Sequence, residues 1–322
     1  MGADVSIETV LKSVARSAYQ NGLVLFLGAG VNGYLYRLWE PLVNALLREA
    51  LSSHPDGEKY TKALAATPEA NFDVYARATL SKTLLGQNYT EILRRLIYEP
   101  LCNENNHALF TDKDSNVDAV AAFCLDPAVK AVVTYNYDTH FEDAYKRITG
   151  KKRKIYSVGL STRDRDPVNS NDSLSVFHVH GLLQSSRNLH NRRDDPVVLA
   201  YDEYSASMSD VCNWANATQT HFLRFRTCLF LGQSLTDWNV LRLLEGARLR
   251  SSGPCHWLFT CNKEFDRLGE SADFHFKAKA TLLDSVGVTL ARMGNEFGDV
   301  YGCLKSLGNH LAKLHKDGKK RS

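Results

Sequence analysis

The chain lacks several features that would fix its class early. Its seven cysteines, Cys102, Cys124, Cys212, Cys228, Cys255, Cys261 and Cys303, are odd in number, and no two form a C-x-x-C pair. Neither a disulfide framework nor a zinc ribbon is indicated, and a cytoplasmic setting is the expectation. No stretch approaches the roughly 20 apolar residues that a membrane-spanning helix needs. At the N-terminus, MGADVSIETVLKSVARSAYQ, Glu8, Lys12 and Arg16 interrupt every apolar run, so a signal-peptide core is absent. Charge of either sign is not in excess: 39 Lys and Arg stand against 36 Asp and Glu, a net +3. Bulk electrostatics therefore give no indication of direct nucleic-acid binding. The concentrated basic run HKDGKKRS (315–322) reads as a solvated tail. Internal repeats and low-complexity tracts are missing as well.

What is present is an ordinary globular composition, 44% hydrophobic and 23% charged over 322 residues, enough to bury a large core. Apolar spacing at Val10, Leu11, Val14, Ala15 and Ala18 predicts a first helix, and Pro41 marks the first turn of a second in WEPLVNALLREAL. Residues 56–112 carry helical periodicity without a convincing strand, which predicts a helical insertion. Strand-like runs lie at 23–27, 129–135, 175–180, 196–201, 227–232, 256–260 and 285–290, with helical patterns such as DTHFEDAYKRI and DWNVLRLLEGARLR between several of them. That alternation predicts one α/β domain built on a Rossmann-like, doubly wound, mainly parallel sheet. Polar loops are expected at 163–173 and 184–195. Ligands of such sheets bind at the carboxyl ends of the strands, beside a topological switch point.

LVLFLGAGVNGYLYRLW (23–39) runs an apolar strand into Gly28, Gly30 and Gly33, the pattern G-x-G-x-x-G. A dehydrogenase loop turns directly into a helix and needs an acidic residue at the end of a second strand about 20 positions on. Here the next good helix start is near Pro41, and the residue at the right distance, Glu49, falls inside that helix. The dehydrogenase reading matches in letters and fails in context. A strand followed by G-A-G remains a place for a phosphate, or a tight turn without a ligand.

Polar residues follow other predicted strands in the same way. VVTYNYDTHFEDA holds Thr134, Asn136 and Asp138; VFHVHGLL holds His180 and Gly181; LFLGQSLTDWN holds Gly232, Gln233, Ser234 and Asp237; FTCNKE holds Asn262. Taken with GAGVN, this order resembles the sirtuin superfamily, and T-Y-N-Y-D with G-Q-S-L-T-D-W-N resembles its divergent branch, the sirtuin-like NAD hydrolases of bacterial antiviral defence. The resemblance spans about residues 20 to 290. The chain departs from sirtuin deacylases in having no zinc module of paired C-x-x-C motifs, in carrying LYRLWEP where they carry a G-I-P-D-F-R-like stretch, and in having Asn32 where a serine is usual. Protein deacylation is thereby put in doubt.

The resemblance implies an NAD glycohydrolase, with NAD as substrate and no metal, acting as an NAD-depleting effector. It implies Asn136 as catalytic asparagine and His180 as catalytic histidine, with Asp138 holding Asn136 or the nicotinamide end. Gly28, Ala29 and Gly30 would turn amides to the pyrophosphate; Ser234 and Asn262 would face the adenosine side, and Val31, Asn32, Thr134, Gly232 and Gln233 would complete the NAD-binding set. It further implies a homo-oligomer switched on by a sensor or ATPase partner of the same defence system. Plainer readings stand next to these. Asn136 can form a turn, and Asp138 and Asp237 can cap the helices that follow them. His178 shares a strand face with His180 but reads as a core or rim histidine. Trp39, Trp238 and Trp257 read as core packing, with stacking on adenine or nicotinamide left open. A non-catalytic NAD- or ADP-ribose-binding subunit, or a deacylase or ADP-ribosyltransferase, are the alternative functions.

Overall fold

The structure, a computed structural model, describes residues 6–33, 36–65, 72–100, 116–150, 153–162, 173–185, 194–210, 212–248, 255–266 and 268–319. Among these residues a single sheet is formed by β1 (Leu23–Leu27), β2 (Val129–Thr134), β3 (Lys154–Val158), β4 (Ser173–His178), β5 (Thr227–Leu231), β6 (His256–Thr260) and β7 (Val288–Arg292). The spatial order is β3-β4-β2-β1-β5-β6-β7, and every neighbouring pair is parallel. The chain grows outward from β1 to β2 on one side and later returns to lay β5 on the other. The topological switch point therefore lies between β1 and β5.

The central strand β1 is apolar throughout because both faces are covered. β1, β5 and β6 are buried along their whole length. The period of two divides them between layers. Leu23, Leu25 and Leu27 of β1 face α1 (Ile7–Asn21), α6 (Asn116–Phe123) and α13 (Phe297–Lys319). Val24 and Phe26 face α9 (Trp214–Phe225), α10 (Trp238–Arg248), Phe265 of the short α11 (Lys263–Asp266) and α12 (Ala272–Ser285). Ser6 starts α1 by accepting the amide of Thr9 on its hydroxyl. α7 (His140–Thr149) joins the first layer through Phe141, Ala144 and Tyr145.

A third apolar cluster sits above the carboxyl ends of the strands. It is made by α2 (Trp39–Ser52), α4 (Val74–Leu85) and α5 (Tyr89–Tyr98), which pack on Tyr137, Leu183, Val197 and Leu199. α3 (Gly57–Ala65) lies against α2. Within 56–112, where a helical insertion was expected, the described residues form α3, α4 and α5, residues 66–71 and 101–112 lying outside the described range, and α4 and α5 share their core with α2.

Several expectations need correction. The run 196–201 is not a strand. It is a loop beside residues 180–182 whose Val197 and Leu199 fill the third cluster, and α8 (Tyr201–Ser209) begins at its end. β3 was not among the expected strands; its KIYSV is short and only its last residue is fully buried. The last strand lies at 288–292 instead of 285–290, because Ser285 still belongs to α12. Residues 315–319 continue α13 and are not a free tail. Much of the two expected polar loops lies outside the described residues.

Candidate functional site

The loops after β1, β2, β4 and β5 open onto a cleft of ≈ 440 Å³ roofed by the third cluster, within the usual range for a small-molecule site. Its floor is the switch point. There the glycine turn packs backbone to backbone on Gly232: the amide of Gly28 donates to the Leu231 carbonyl at 3.0 Å and that of Gly30 to the Gly232 carbonyl at 2.9 Å. A methyl group on Gly28 would lie 2.5 Å from the Gly232 oxygen, and one on Gly232, whose φ is +64°, would lie 2.4 Å from the amide of Val31. These glycines are required by the close approach of two loops. The expectation that Gly28, Ala29 and Gly30 all turn amides toward a pyrophosphate is corrected accordingly. Two of those amides are spent within the protein, and only that of Ala29 is left without a backbone acceptor among the described residues.

Asn136 enters the cleft from the end of β2 and is tied at several points. Its main-chain amide donates to the Thr134 hydroxyl at 3.1 Å, and its side-chain Nδ2 donates to the Gly28 carbonyl at 3.2 Å. That leaves Oδ1 as the side-chain acceptor with no partner among the described residues. Asp138 accepts the His140 amide on Oδ1 at 2.9 Å, capping the start of α7, and accepts Asn32 Nδ2 on Oδ2 at 3.0 Å. Asp138 thus serves the start of α7 and anchors Asn32 of the glycine turn, while neither of these carboxylate bonds goes to Asn136, the residue it was expected to hold.

His180 lies beyond the end of β4, lining the same cleft. Its ring meets Tyr135 edge to face, centroids 4.8 Å apart, and takes no hydrogen-bond partner among the described residues. Burial pushes its pKa below the ordinary histidine value, and the carboxylate of Asp237 only partly offsets this. The imidazole is therefore neutral near pH 7. Asp237 itself caps α10, accepting the amides of Asn239 and Val240 at 2.8 and 3.2 Å and the hydroxyl of Tyr204 at 2.7 Å. Burial and the same carboxylate push the neighbouring Tyr75 hydroxyl up to about 12.

The partner of His180 two positions upstream, His178, is sealed in the core. Its Nε2 meets Glu142 Oε1 at 2.7 Å, and its Nδ1 meets the main-chain oxygen of Asn136 at 3.3 Å. Burial disfavours the charged forms of both residues, but their mutual attraction and hydrogen bonding prevail, so that His178 is raised and Glu142 lowered.

Gly232, Gln233 and Ser234 line the cleft, and Gln233 Nε2 is buried without a partner. Thr134 and Val31 lie behind the lining as supports. Asn262 is not brought to the cleft: it turns away at the end of β6 and donates to Asn295 Oδ1 at 2.7 Å. Trp257 is core, as expected. Trp238 is not; it stands 74% exposed at the mouth of the cleft, while Trp39 lines the wall. The reading of residue types did not reach Arg37, the sole lysine or arginine among the described lining residues. Its guanidinium is held by the Leu96 carbonyl at 3.2 Å and Glu99 at 3.0 Å. Nothing in its local spacing singles it out, because α5 is what brings its partners to it. Among the described residues no cluster of His, Cys, Asp and Glu has the makings of a metal site, and no helix is long and apolar enough to cross a membrane.

No curated protein matches the chain in sequence. Among solved structures, one described as "Structural Basis for the Mechanism and Regulation of Sir2 Enzymes" aligns over 98% of this chain and 100% of its own, at 14% identity and a TM-score of 0.45. The family model for the SIR2-like domain matches residues 130–285, a little under half of the chain. That segment contains the loop of Asn136 and Asp138, the strand leading to His180, and the loop from Gly232 to Asp237. The match supports a sirtuin-like family for this chain and, with it, an NAD-related activity.

Proposed function

We propose that the cleft hydrolyses the bond between nicotinamide and ribose in NAD, releasing nicotinamide and ADP-ribose. The observation that carries this reading is the convergence of Asn136 and His180, from separate strands, on one cleft beside the glycine turn. The glycosidic bond breaks through an oxocarbenium-like state. The bonding pair leaves with the pyridinium ring, which departs neutral, so no strong general acid is required. A water oxygen then bonds to the anomeric carbon and loses a proton.

What the residues do follows from their free atoms. Asn136 Oδ1 accepts a hydrogen bond from a ribose hydroxyl or the attacking water, and the tie from Nδ2 to Gly28 fixes its direction. His180, neutral and unpartnered, takes the proton. The aromatic wall of Tyr75, Tyr135 and Trp39 suits a cationic ring, and Arg37 with the Ala29 amide offers positive charge to the diphosphate. The backbone donors are fewer than a glycine-rich loop first suggests.

The proposal extends to role. An NAD-consuming site of this kind suits a defence effector that depletes NAD, held inactive until a sensor or ATPase partner or self-assembly switches it on. The test is to incubate the purified protein with NAD, alone, at concentrations that favour assembly, and with the products of neighbouring genes, following nicotinamide by chromatography. Release of nicotinamide and ADP-ribose in equal amounts without any acylated or acceptor protein supports hydrolysis. Release that depends on such an acceptor points to group transfer. Binding of NAD with no release in any state overturns the enzyme reading in favour of a binding subunit.

A further inference from the structure

Directly behind Asn136 lies a charged pair that the proposed chemistry does not touch. His178 ends β4 and Glu142 stands in the first turn of α7, and their side chains are 0% and 1% exposed. Ser157 of β3 donates to the same Glu142 oxygen at 2.7 Å, so three elements meet at this point. The imidazole faces an acceptor on each side, the Glu142 carboxylate at Nε2 and the Asn136 carbonyl at Nδ1. A neutral imidazole carries one N–H and can satisfy only one of them; serving both takes the imidazolium. An ion pair buried this deeply is a poor device for stability alone, since apolar residues of the same volume usually serve as well. Its geometry does something apolar residues cannot, which is to aim a charge-assisted N–H at the main chain of the site.

We propose that His178 and Glu142 are positioning residues, which hold the main-chain carbonyl of Asn136 so that its side-chain Oδ1 stays turned into the cleft. The inference rests on the reading of Asn136 as the residue that orients substrate. Asn136 is tethered by its amide to Thr134, by Nδ2 to Gly28 and by its carbonyl to His178. Release of the carbonyl frees the peptide between Asn136 and Tyr137 to rotate, which swings the side chain. A displacement of about 1 Å at a reacting centre costs on the order of 100-fold in rate. Glu142 acts one step further back, because its charge keeps the second proton on the imidazole.

The variant that isolates this role is Glu142→Gln, which keeps shape and packing. Without the carboxylate the ring drops its second proton and has one N–H to share between the amide and the Asn136 carbonyl, so the charge-assisted tether on that carbonyl is lost. Nicotinamide release should then fall at least about tenfold in kcat, with the NAD dissociation constant changed by less than about twofold. Glu142→Asp, which keeps the charge, should recover part of the loss. Nitrogen-15 spectra of the histidine rings read the same claim without substrate: at pH 7 both His178 nitrogens carry protons in the parent protein and one does in Glu142→Gln. A parent spectrum with one protonated nitrogen, or an unchanged kcat in Glu142→Gln while the parent turns over, overturns the positioning role alone. Absence of turnover by the parent in every state overturns the reading of the cleft, and the role given to the pair falls with it.

Discussion

Asn136 donates its side-chain amide to the carbonyl of Gly28 across 3.2 Å, joining positions 108 residues apart. The glycine turn and the asparagine of T-Y-N-Y-D are thus parts of one construction, and replacing the amide changes both. Asn136→Asp sets a carboxylate against that carbonyl. We expect a loss of roughly 1–3 kcal/mol in denaturant unfolding at pH 7, larger than for Asn136→Ala, which leaves no opposed acceptor. Equal stability of the two variants would show that the bond does not bear on the fold.

The switch point makes a second prediction. Gly232 holds φ at +64° with the Val31 amide where a Cβ would project, so Gly232→Ala combines backbone strain with a clash. A cost of about 1–3 kcal/mol is expected, together with weakened NAD binding, because the glycine turn must move away. Calorimetry of folding and of NAD binding checks both. Unchanged affinity would mean that the turn is not part of the substrate site.

The lowered pKa of His180 fixes the direction of a pH profile. A base must be neutral, and burial holds this ring neutral to below the ordinary histidine value of about 6.5. The acid limb of kcat/KM should therefore have its midpoint below 6.5. Since Asp237 raises His180 against burial, Asp237→Asn, which still caps α10, should move that limb to lower pH. A shift toward higher pH would remove His180 from the role of base.

His256 predicts an acid-sensitive fold. Its Nδ1 accepts the Cys228 amide at 3.2 Å and its Nε2 donates to the Leu223 carbonyl at 3.1 Å, so a second proton has no place. Burial depresses its pKa to about 4. A depressed folded-state pKa means that the unfolded chain binds the proton first, so stability is lost as pH falls from about 6.5 toward 4, by up to about 3 kcal/mol. His178, whose pKa is raised, keeps its contribution throughout that window. His256→Gln, which can repeat both hydrogen bonds without titrating, should flatten the loss measured by thermal unfolding between pH 7 and 4.5. An equal slope in the two proteins would assign the acid sensitivity elsewhere.

The parallel sheet was legible where strands are buried on both faces, because LVLFL, TCLFL and HWLFT are short, nearly continuous apolar runs of strand length. The same signal misled at PVVLAY, whose apolar residues belong to the helical roof and not to the sheet. Edge strand β3 was missed because partial burial leaves no alternation in KIYSV. Within the site, Asn136, His180 and Gly232 were legible as polar or glycine residues at strand ends. Arg37 and Tyr75 were not: Arg37 reaches the cleft from the loop before α2, held by Leu96 and Glu99, and Tyr75 from α4, and where those elements sit is a tertiary matter. His178 reads from the sequence as a core or rim histidine and is buried; its link to Asn136 depends on Glu142, a residue of a different element.

The central claim is that Asn136 and His180 act together on one bond, and it is tested most directly by single-turnover nicotinamide release in the parent protein, Asn136→Ala and His180→Ala, with NAD affinity measured on the same samples. The account predicts that each variant loses at least about 100-fold in rate, keeps NAD binding, and unfolds cooperatively as the parent does. Folded variants that bind NAD and release nicotinamide at the parent rate would contradict it.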